Sequence, residues 1–82
     1  MRKIEVLKFD KTKLKIKMLE KNIIDKQLIT ALGINESTYY KKVNGITEFK
    51  RSELIIIKLV LGLTSEEMDA VFFNPETYVN AS

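Results

Sequence analysis

The stretch Leu32-Gly33-Ile34-Asn35 constrains this chain more than any other. Gly33 accepts the left-handed backbone conformation that ends a helix sharply, and Asn35 is a strong cap for a helix that follows. A turn of about three residues then separates the stop of one helix from the start of the next. Upstream, Leu28 and Leu32 lie four apart, so residues 25–32 read as a short helix with one inward face. Downstream, residues 36–44 read as a second helix, closed by Gly45, with Ile34, Tyr39 and Val43 on its inner side. Its outer side carries Ser37, Tyr40, Lys41 and Asn44 at i, i+3, i+4 and i+7, a spacing that sets all four on one face.

Three more helices complete the reading. Asp10 can cap a helix with Leu14, Met18 and Ile23 inward, and Phe9 before it can pack on Leu14 as a hydrophobic staple. The five lysines at 11, 13, 15, 17 and 21 scatter over the rest of that cylinder. Residues 51–61 contain Ile55-Ile56-Ile57, which has strand propensity. A helix is preferred there because Ser52 can serve near its start and Gly62 at its stop. The only other strand candidate is the N-terminal segment 4–9. Thr64-Ser65-Glu66-Glu67 is a capping box for a fifth helix with Met68, Val71 and Phe72 on its apolar face; Phe73 is surplus to that face. Residues 1–9 are expected to be an arm or short strand. Pro75, the single proline, marks residues 74–82 as a tail. The expected architecture is all-α, one compact five-helix domain over residues 10–73.

Composition agrees with that size. Eighty-two residues suffice for one domain, and 45% hydrophobic with 30% charged residues favours folding over disorder. Neither Cys nor His is present, which removes disulfides, thiolate metal sites and the commonest general base. No cofactor, metal or small-molecule ligand is expected. The most apolar run, residues 54–63, is half the ~20 residues a membrane span needs and includes Lys58. No targeting segment stands out either, so a cytoplasmic protein is expected. Charge is uneven. Residues 1–21 hold eight Lys/Arg against three acids, residues 22–51 five against three, and residues 52–82 one against five. Such asymmetry suits an anionic partner on one side.

The segment from about Phe9 to Phe73 resembles the Cro/repressor-type helix-turn-helix family, the lambda-repressor-like five-helix domain of phage and bacterial regulators. The matching residues are Leu28, Leu32-Gly33-Ile34, the polar start Asn35-Glu36-Ser37-Thr38, Tyr39 and Asn44-Gly45. Lys41-Lys42-Val43-Asn44-Gly45 and the stretch from Thr47 to Phe73 resemble small phage-associated members. The resemblance implies that the outer stripe enters the major groove of double-stranded DNA, with Ser37, Tyr40, Lys41, Asn44 and Glu36 as base-contacting candidates. Thr38, Lys42, Lys50, Arg51 and Lys26 are the matching phosphate-contacting candidates. Three positions depart from the pattern. Ile29 replaces a small residue, Ile24 a Ser or Thr cap, and Asp25 a neutral phosphate-contacting side chain.

Each candidate has a plainer explanation. Glu36 stabilises the helix dipole without any ligand. Lys50 and Arg51 sit where the dipole disfavours cations; two exposed residues are tolerated there at small cost, and a phosphate lodged against the helix amides would reverse the penalty. Thr64, Glu66, Glu67 and Asp69 need no metal to explain them, and Ser37 beside Lys41 lacks the pocket a Ser–Lys dyad requires. The expected function is sequence-specific DNA binding as a transcriptional regulator, not an enzyme, and a homodimer at least on DNA. Phe72 and Phe73 or the N-terminal segment are the candidate dimer contacts. The alternative is a protein-interaction module, antitoxin-like or anti-repressor, that keeps the fold without binding DNA.

Overall fold

Local stop and start signals set the helix boundaries of this chain. The computed structural model describes residues 4–78, as backbone alone in 4–8 and 74–78. The order is β1 (Ile4–Lys8), α1 (Lys11–Lys21), α2 (Asp25–Leu32), α3 (Glu36–Val43), α4 (Arg51–Leu61), α5 (Ser65–Phe72) and β2 (Asn74–Tyr78). Asp10 caps α1 by accepting from the Lys13 N–H at 3.1 Å, and Asn35 caps α3 by accepting from the Thr38 N–H at 2.8 Å. Thr64 and Glu67 close the expected capping box reciprocally, at 3.1 and 2.9 Å. Gly33 ends α2 at φ 68°, a left-handed conformation that a Cβ would strain. The Ile55-Ile56-Ile57 run is helical, and Gly62 at φ 65° stops it.

Two helices lack a side-chain cap at the expected residue. Lys50 precedes α4 and Ser52 lies inside its first turn; the Glu53 carboxylate reaches back to the Lys50 N–H at 2.7 Å. In the same way, Gln27 accepts from the Ile24 N–H at 2.9 Å at the start of α2, where Ile24 has no side-chain cap to offer. Both satisfy an orphan donor from the third helical position instead of from the cap.

The helices enclose one core. Leu14, Leu28, Tyr39, Ile57 and Val71 are fully buried there, with each aliphatic contributing about 1.5–3 kcal/mol from burial. α2 packs on α4, and α1 on α5 and α4. A second cluster joins the ends of the helical region. Phe9 stacks on Phe72 with ring centroids 5.3 Å apart, and Phe49 meets both edge-on at 5.6 and 5.5 Å. Phe9, expected to staple Leu14, packs against the core that contains Leu14 and also stacks on the last residue of α5. The Asp10 N–H also donates to the Val71 carbonyl at 2.6 Å.

That closure lays residues 4–8 and 74–78 side by side. β1 and β2 pair antiparallel from Ile4 opposite Tyr78 to Lys8 opposite Asn74. Residues 74–78, expected as part of a tail, are therefore a strand added to the five-helix domain. Pro75 is tolerated because a two-stranded ribbon leaves one edge of each strand without partners.

Across α1 and α5, the Lys17 ammonium pairs with Glu67 at 2.9 Å and with Glu20 at 3.4 Å. The Thr64 N–H and then Lys17 push the Glu67 carboxyl down to about 2, against 4.5 ordinarily. A depressed folded-state value contributes stability above about pH 4.5 that is lost as pH falls toward 2. The melting temperature should drop through that window, and Glu67→Gln should make the drop shallower when followed by circular dichroism.

Candidate nucleic-acid interface

The expected stripe is exposed along its whole length. Ser37, Tyr40, Lys41 and Asn44 all face away from the core, as does Glu36, while Thr38 is half-buried. Tyr39, Val43 and Lys42 are buried on the opposite side. Tyr40 remains 38% exposed, with its ring edge-on to Tyr39 at 5.1 Å, which limits its freedom.

What holds α3 in place was only partly legible. The Asp25 carboxylate, on the first residue of α2, accepts from the Tyr39 hydroxyl at 2.6 Å and from the Lys15 ammonium at 2.9 Å through both oxygens. One side chain thereby ties α1, α2 and α3 together. Burial alone would raise the Asp25 carboxyl, but the bonds from Tyr39 and Lys15 outweigh it and hold the group below the usual carboxylate range. The same burial, together with Asp25, pushes the Tyr39 phenol up, so it donates at any physiological pH. From the sequence, Asp25 reads only as a departure at a phosphate-contacting position; its partners lie 10 and 14 residues away.

A second link falls at the other end of the stripe. Lys11, in the first turn of α1, donates to the Asn44 Oδ1 at 2.8 Å. One of the scattered lysines of α1 therefore stands at the edge of the stripe. Fixing Oδ1 on Lys11 leaves the Asn44 NH₂ as its outward donor. Beside these residues opens a cleft of about 710 Å³, walled in part by Phe9, Phe49, Leu54 and Phe73. Its cations Lys11 and Lys42 are already engaged by the protein's own oxygens.

Three expectations need correction. Lys42 is not available for a phosphate: it is 7% exposed, pairs with Glu53 at 3.0 Å and donates to the Glu48 carbonyl at 3.0 Å. Lys42 and Val43 both face inward, and the Lys42 ammonium has a buried carboxylate waiting on α4. Phe72 is not available for a dimer either, since it is 7% exposed within the Phe9–Phe49 cluster; Phe73 is 41% exposed. Lys50 and Arg51 are exposed as expected, as is Lys26. The anion site expected at the start of α4, however, has an internal competitor, because the Glu53 carboxylate takes the Lys50 N–H. Burial opposes ionisation of that carboxyl, but the Lys50 N–H and Lys42 outweigh it and keep its pKa low.

The described residues include no cluster of three or more acids that could hold a metal ion, and no helix long and apolar enough to cross a membrane. Comparison with protein-family models, curated proteins and solved structures finds no match to this chain.

Lys42→Ala strands Glu53 in a buried setting and should lower the unfolding free energy by about 3 kcal/mol in urea titration. Replacing both partners with apolar residues, Lys42→Met with Glu53→Leu, should recover most of that loss.

Proposed function

We propose that α2 and α3 act as a helix-turn-helix that reads double-stranded DNA. In this reading α3 lies in the major groove and the chain regulates transcription by occupying an operator. The supporting observation is the exposed stripe Ser37, Tyr40, Lys41 and Asn44 on a helix whose other side is anchored by Tyr39 and Asp25. A rigid element carrying a row of donors and acceptors is what base-edge recognition requires. Lys41 suits guanine O6 and N7. Asn44, with its carbonyl on Lys11, offers its NH₂ to an acceptor on a base or phosphate. Thr38 and Lys26 suit backbone phosphates, and Lys11 joins them on the strength of its position beside Asn44. Glu36 stays a dipole partner of α3.

The basic bias of the first two-thirds of the chain supports an anionic partner. One such domain spans few base pairs, so a homodimer on paired half-sites fits the reading. A second reading, a protein-interaction module, draws support from one feature: Ile55 and Leu59 on α4 are 52% and 75% exposed.

Fluorescence anisotropy against duplex DNA separates the two. Under the first reading, affinity falls linearly on a log–log plot against salt, and Lys26→Ala reduces the slope by about 0.9. Alanine at Ser37, Tyr40, Lys41 and Asn44 together should abolish sequence preference while the helical spectrum is kept. A duplex bound no better at low salt than by a neutral control protein would rule the first reading out.

A further inference from the structure

We propose that the outer face of α4 is a self-association surface, on which a second copy of this chain docks its own α4 antiparallel. The inner face of α4 is committed to the core through Ile57 and Leu61, at 0% and 2% exposure. On the far side, Arg51, Ile55 and Leu59 follow one another at i, i+4 and i+8 and form a single stripe. Ile55 is 52% exposed and Leu59 75%, a large apolar exposure on a helix that has no structural need of it.

The charges at the two ends of the stripe identify the occupant. Its amino-terminal end is basic, with Lys50 and Arg51 both exposed. Its carboxy-terminal end is flanked by the start of α5, because the Lys58 ammonium donates to the Ser65 hydroxyl at 3.1 Å. The next residue, Glu66, is exposed. α4 is 11 residues long, or about 16 Å at 1.5 Å per residue. A twofold axis crossing its middle sets Ile55 of each copy against Leu59 of the other. The same axis carries Arg51 of each copy to the end where the other copy presents Glu66. The surface is self-complementary in outline, apolar at the centre, with Lys50 and Arg51 at one end and Glu66 beside the half-buried Lys58 at the other.

The interface stands independently of DNA recognition, although it would supply the second half-site reader that a DNA-binding reading needs. Sedimentation of the full chain without DNA tests it. A concentration-dependent dimer is expected at sub-millimolar protein. Leu59→Glu should weaken it by at least about tenfold while the helical spectrum is unchanged. Arg51→Glu and Glu66→Arg should each weaken it, and the two together should restore it. A wild-type chain that stays monomeric throughout, including because a foreign protein uses this face, would overturn the proposal. So would a charge-swapped double variant no better associated than either single variant.

Discussion

The architecture depends on one ionised carboxylate placed where three helices meet. Asp25 accepts from Lys15 on α1 and from Tyr39 on α3 while standing at the start of α2, where the helix dipole also favours negative charge. Half-burial of a carboxylate is unfavourable by itself, and its partners must more than offset that; its depressed pKa says they do. The consequence is geometric. With Tyr39 pinned through its hydroxyl and buried through its ring, α3 has one permitted orientation about its own axis, and the residues a turn away must face outward.

The basic side chains divide accordingly. Lys15, Lys17 and Lys42 bind the chain's own carboxylates and hold helices together. Lys11 is shared, since its partner is a side chain of the stripe itself. Lys26 and Lys41 remain exposed, at the start of α2 and in the last turn of α3. Net positive charge alone could not separate these roles. A lysine bonded to a buried acid contributes nothing to an outside anion, and Lys42 shows how easily one counted as a ligand contact proves structural.

Much of this was legible in the sequence because it is local. Asp10, Asn35 and Thr64 cap helices within three residues, and Gly33 and Gly62 stop them, so the five helices fall where spacing sets them. The stripe follows from periodicity alone. Non-local pairings escaped: NPETY has little strand propensity, and its pairing with IEVLK joins opposite ends of the chain. Burial of Lys42 depended on Glu53 from another helix. Phe72 is a different case, because its place with Met68 and Val71 on the apolar face already argued against exposing it.

The most direct measurement is a titration of the isotope-labelled protein with a pool of short duplexes, followed through its amide and side-chain resonances. Shifts concentrated at Ser37, Tyr40, Lys41 and Asn44, extending to Lys11, are expected. Resonances that stay put at low salt, or that move only along the α4 face of Ile55 and Leu59, would contradict the view that α3 is held outward to enter a double helix.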